Sequence, residues 1–274
     1  MDFIRRILRR SSTPNIPPQS AGGPVRDERI MRWRAALDAY GFPFRVVPHE
    51  RAMETFEAEL RIGEQEGFTP VFVVPGLWCP VTSSTGKRVA MAKRHMADGI
   101  SAPQGRAFLA SRLEAMPRYL ASDPEAPDPA MFDALRAVDI PPMPPGLALL
   151  KHYNAASQTM EQVAEVAIMR VPTPEAHAIP LYLDRGGWNA VPQSHELAAV
   201  ARYWQDTHCA RLVAVSADQL EFAVAHKPAT HADAVALLKE HYAFASENWE
   251  FDQDMLEGAA AELRLRDSWT FWWD

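Results

Sequence analysis

Cysteine is scarce. Cys79 and Cys209 are the only two in 274 residues, in unlike contexts and outside any C-x-x-C pair. That argues against a disulfide framework and a zinc site, and it suits a reducing cytoplasm. Long apolar runs are missing too. No stretch approaches the ~18 uninterrupted apolar residues of a membrane span, and the N-terminus lacks the ~7–15-residue apolar core of a secretory signal. Glycine is low at 13 residues and proline high at 23, a balance that predicts long, stiff connections.

Positive charge is also short. The net charge is −7. Residues 1–10 hold Arg5, Arg6, Arg9 and Arg10 against Asp2, so they carry +3 and the remaining 264 residues carry −10. An acidic body repels phosphate, so no nucleic-acid partner is expected. Its natural partner is a basic protein. Apolar residues at 47% and charged residues at 23% are the proportions of a globular chain with a sizeable core.

"MDFIRRILRR" sets Phe3, Ile4, Ile7 and Leu8 at helical spacing with arginines opposite. It reads as a basic tail, with weak membrane-surface contact as its alternative use, and residues 1–26 form a tail and flexible linker. Residues 27–163 form an N-terminal α/β region, largely helical in its second half. "DERIMRWRAALDAYG" predicts a helix closed by Gly41. "FRVV", a helix over 50–66 and the apolar strand "TPVFVVPG" make a βαβ pattern.

Residues 164–274 form the third stretch. "AIPLYLD" is expected as a strand, with Ser194 capping a helix whose Leu197, Val200, Ala201 and Trp204 share one face. "RLVAV" and "LEFAV" make a hairpin, Thr230 and Asp233 a capping box, and "WTFWW" a closing strand. The order β-α-β-β-α-β is that of a ferredoxin-like unit, so the fold class is α+β: an N-terminal α/β region packed on a ferredoxin-like domain.

"IPLYLDRGGWNAVP", "RYW", "ADQLEFAV" and "SWTFWWD" together resemble the bacterial family known as domain of unknown function 4253. Its members typically carry Gly-Gly-Trp-Asn-x-x-Pro and end in Trp-x-Phe-Trp-Trp-Asp. The resemblance covers about residues 164–274 and implies a shared fold but no activity. Where the family commonly has cysteine before that proline, this chain has Val191, so the resemblance places no thiol there.

The strand period sends Trp269, Phe271 and Trp273 to one side, expected as core, and Ser268, Thr270, Trp272 and Asp274 to the other. In a ferredoxin-like order Ile179, Leu181 and Leu183 would join that core. Tyr182 and Asp184 would then lie beside Trp272 and Asp274, as an aromatic–acidic surface or as a domain interface. "DRGGWN" is the leading site candidate. Asp184, Arg185, Trp188 and Asn189 flank two glycines that permit unusual backbone or close approach, in a binding site or in a structural turn.

Two motifs are set aside. "TSSTGKR" has Val81 and Arg88 where a phosphate loop needs Gly and Ser or Thr. The nine histidines show no ligand spacing, so no metal and no cofactor is implied. A non-enzymatic interaction module of inhibitor or immunity type, using Tyr182, Trp188 and Trp272, is the leading reading. The alternative is an enzyme whose small-molecule site lies between the two regions, with Asp184, Arg185, Asn189 and Asp274 supplying polar groups.

Overall fold

The computed structural model describes residues 24–75, 83–120, 129–142, 146–148, 150–154, 159–246 and 253–273. The tail at 1–10, Asp274 and Cys79 lie outside them. The elements are α1 (Pro24–Tyr40), β1 (Phe44–Pro48), α2 (His49–Glu66), β2 (Thr69–Val73), α3 (Thr85–Ala97), α4 (Ala102–Leu120) and α5 (Pro129–Asp133). They continue through β3 (Lys151–Asn154), β4 (Thr159–Gln162), β5 (Glu165–Val171), α6 (Ile179–Tyr182), α7 (Ser194–His208), β6 (Arg211–Val215), β7 (Gln219–Ala223), α8 (His231–Phe244), α9 (Gln253–Leu263) and β8 (Ser268–Trp272).

The class is α+β, as its sequence pattern indicates. Six strands form one sheet in the order β1-β5-β2-β6-β7-β8, and β3-β4 is a separate hairpin. β5 runs antiparallel to both β1 and β2. β2 is parallel to β6, and β6, β7 and β8 form an antiparallel meander. β1-α2-β2 is thus a βαβ unit split by an inserted strand from the C-terminal half.

The ferredoxin-like arrangement expected for residues 164–274 is not what this sheet has. Residues 179–182 are helical, following a 3₁₀ turn at Ala176–Ala178. Pro180 explains it: proline has no N–H for a ladder, but its missing donor and fixed φ suit a first helical turn. The strand role passes to β5, which is buried along most of its length and needs a neighbour on each side. β2, buried at every position, sits between β5 and β6 for the same reason. β8 therefore lies at the edge beside β7 and far from the strand that opens the C-terminal stretch.

Both faces of the sheet are covered. On one, Ala52, Phe56 and Leu60 of α2 pack against Phe72, Val166 and Ile168, with Phe56 and Phe72 rings 4.2 Å apart. On the other, α1, α4, α7, α8 and α9 bury the larger core. Its centre is Trp204, fully buried, stacked on Phe271 at 5.1 Å and edge-on to Phe244 at 4.9 Å and Trp269 at 5.6 Å.

Glu240 of α8 ties this core to α7. One carboxylate oxygen accepts from Trp204 Nε1 at 2.9 Å, the other from the Tyr203 hydroxyl at 2.8 Å. Tyr203 is pushed up to about 12 by burial and by that carboxylate. One of two local expectations shifts slightly. α7 is capped by Gln193 rather than Ser194, in a box with Glu196 (Gln193 N to Glu196 Oε2, 2.7 Å). Thr230 and Asp233 form the box expected for α8.

Candidate functional site

The aromatic strand divides as its period requires. Trp269, Phe271 and Trp273 are buried in the large core. Trp272 is half-buried on the other face, its indole N–H donating to Asp218 Oδ2 at 3.1 Å. Asp218 is held in turn by the Ser216 hydroxyl at 2.8 Å. Tyr182 does not join it. Placed on α6 rather than on a strand, Tyr182 is buried in the large core, tilted against Phe42 with centroids 6.4 Å apart. The expected Tyr182–Trp272 surface is therefore not formed. Beside Trp272 on its own face stand Gln219 and, diagonally, Glu221, by the β7–β8 register. Glu221 is fully buried and accepts the Ala148 N–H at 2.6 Å.

Residues 184–189 build a different kind of element. Asp184 (φ +50°), Gly186 (+95°), Gly187 (+79°) and Asn189 (+44°) all occupy the left-handed region. For the two non-glycine residues this costs on the order of 1 kcal/mol each. At Gly186 a Cβ would lie 2.0 Å from the Pro192 carbonyl oxygen and 2.9 Å from Leu197 Cδ1. Only glycine lets the chain pass there. The loop is closed by Gly187 N–H donating to Pro192 O at 3.0 Å and Val191 N–H donating to Trp188 O at 2.9 Å. Arg112 of α4 reaches Ala190 O at 3.4 Å. Val191 and Leu197 anchor it in the core. The outcome is a braced turn that holds Trp188 and Asn189 in solvent.

At its base the loop meets groups that its own sequence does not announce. Asp184 Oδ2 accepts from the Ser83 hydroxyl at 3.3 Å. Arg185 hydrogen-bonds the Tyr40 side chain, whose hydroxyl burial pushes up while Arg185 and Arg88 pull it down. Arg88, almost wholly buried, lies 5.3 Å from the Tyr40 ring centroid. Its guanidinium donates to the carbonyls of Ser83, Tyr40 (2.7 Å) and Ala39 (3.2 Å). Arg88 thus caps the end of α1, where carbonyls lack partners and a cation is favoured. Loss of water pulls it below its usual value, with Tyr40 and Asp184 opposing. Ser84 caps α3 by accepting from Lys87 N at 3.4 Å.

Asp184, Arg185, Trp188 and Asn189 are therefore gathered in one loop, on the side of the sheet that carries the larger core. Trp272 is on the opposite face at the edge strand. Tyr40, Ser83 and Arg88 were missed by sequence reasoning because nothing in the spacing of residues 40, 83–88 and 184–185 signals their convergence.

Residues 167–274 match the family model described as Domain of unknown function (DUF4253). This part of the chain belongs to that family. Both the left-handed loop and the aromatic strand fall inside the family region. No curated protein and no solved structure matches the chain. Among the described residues, no group of three or more His, Cys, Asp and Glu is placed to hold a metal ion. No helix among them is long and apolar enough to cross a membrane.

Proposed function

We propose that this chain is a binding protein that recognises a basic protein partner through the 184–189 loop, with Trp188 as the central contact. The observation that carries this reading is the conformation of the loop. Four left-handed residues and the close backbone contact at Gly186 fix the turn in advance, so little ordering entropy is lost when it is covered. An exposed tryptophan on a rigid turn is the residue type that concentrates binding energy at interfaces. The acidic body, −10 outside residues 1–10, supports a basic partner through association rate. Capture from native lysate with intact protein beside Trp188→Ala tests it. A stoichiometric basic protein retained only by the intact chain supports the reading; equal retention by a folded variant overturns it.

A second reading rests on the convergence of Ser83, Asp184, Arg185, Tyr40 and Arg88 at the foot of the same loop. Ionisable groups so gathered suit a polar small molecule. In that case Arg185→Ala abolishes metabolite binding while Trp188→Ala spares it, and the reverse pattern favours the protein interface.

A further inference from the structure

We propose that Cys209 and His226 form a nucleophile–base pair, and that Cys209 undergoes exchange with small disulfides. Cys209 is a free, exposed cysteine at the end of α7. Its Sγ lies 3.5 Å from His226 Nδ1, within hydrogen-bond reach for sulfur. The two residues come from different elements, α7 and the segment that leaves β7. Position 226 is tied to position 208 twice: His226 N–H donates to His208 O at 2.9 Å, and His208 Nδ1 bonds His226 O at 2.9 Å. His208 is itself held edge-on to Trp269 at 5.2 Å. The core thus fixes His208, His208 fixes the backbone of His226, and His226 presents its ring to the thiol. A nucleophile beside a base that a third group positions is the arrangement thiol chemistry requires.

The proton leaves the thiol as sulfur attacks, with His226 as the base. Cys209 Sγ passes its proton to His226 Nδ1 while forming a bond to one sulfur of a disulfide R–S–S–R. The R–S–S–R bond breaks, and the departing thiolate takes the proton back from the imidazolium. One mixed disulfide and one free thiol RSH result. Two charged groups nearby in the chain are already engaged. Asp206 pairs with Arg202 at 3.1 Å, and Lys227 pairs with Asp267 at 2.5 Å.

The test is reaction of the full chain with oxidised glutathione, read by peptide-mapped mass spectrometry that separates Cys209 from Cys79. It runs beside His226→Ala and His226→Gln. Both substitutions fall at an exposed side chain, so circular dichroism and urea midpoint should match the parent. The adduct is expected at Cys209, with a rate at pH 7 lowered on the order of tenfold or more in both variants. Equal rates in parent and variants, or no Cys209 adduct where a free cysteine peptide reacts, would overturn the pair.

Discussion

The terminal strand and the 184–189 loop both carry tryptophan within one family region, and they use it in opposite ways. In the strand, a two-residue period delivers Trp269, Phe271 and Trp273 into a helical layer already centred on Trp204. In the loop, four left-handed residues turn Trp188 out to solvent, where it is 36% exposed. Side-chain type is the same, and backbone geometry decides between core and display. A tryptophan whose neighbours repeat at period two against an apolar layer is a packing residue. One flanked by residues of positive φ has been placed.

The largest effect should come from emptying the strand side. Phe271→Ala removes a fully buried ring in contact with Trp204, Phe222 and Phe244, and about 3–5 kcal/mol of stability should disappear in urea unfolding. A loss under 1 kcal/mol would mean that the aromatic cluster is not the core's centre. Next is the loop's brace. Gly186→Ala sets a Cβ against the Pro192 carbonyl at positive φ and should cost about 2–3 kcal/mol. Gly187→Ala meets only the Gln193 side chain, which can swing away, and should cost about half as much. Equal costs would show that the loop is not pinned where the geometry puts it.

Acid should act on the strand side before the loop. His241 is buried among Trp204, Trp269 and Phe271, and burial, with His208 adding to it, holds it well below its usual value. His177 is lowered by burial too, against the pull of Glu175. Above pH ~6.5 both are neutral folded or unfolded, and neither costs anything. As pH falls through ~6.5 the unfolded chain takes up protons that the folded chain refuses. Stability then drops by up to about 1.4 kcal/mol per pH unit for each such histidine. His241→Phe should flatten half of that slope. A further loss belongs below pH ~4.5, where Glu257, held at about 2 by the Arg136 backbone and side chain, begins to protonate in the unfolded chain first. The smallest stability effect is expected at the displayed residue: Trp188→Ala should stay within about 0.5 kcal/mol of the parent while partner binding is lost.

Much of this was legible in local pattern. The helix ending at Gly41, the capping box at Thr230 and Asp233, the β6–β7 hairpin and the split of Trp272 from its neighbours all follow from caps, turns and period, which act over a few residues. Misreadings arose where one residue outweighed a pattern. "AIPLYLD" has strand-like composition, but Pro180 starts a helix and carries Tyr182 into the core. The β3–β4 hairpin, in a stretch read as mostly helical, gave no periodic signal strong enough to separate it from its surroundings.

The sequence by itself determined the α+β class, the burial of Trp269, Phe271 and Trp273, and the special backbone at Gly186 and Gly187. Each depends on neighbours in the chain and on the cost of leaving apolar surface or bulky side chains in the wrong place. Only tertiary structure decided that β5 enters between β1 and β2, that Arg88 caps the distant end of α1, that Tyr40 meets Arg185, and that His226 reaches Cys209. Those pairings join residues 17 to more than 140 positions apart. They are selected by the mutual burial of whole faces, a property of the assembled sheet and its helices that no short window of sequence contains.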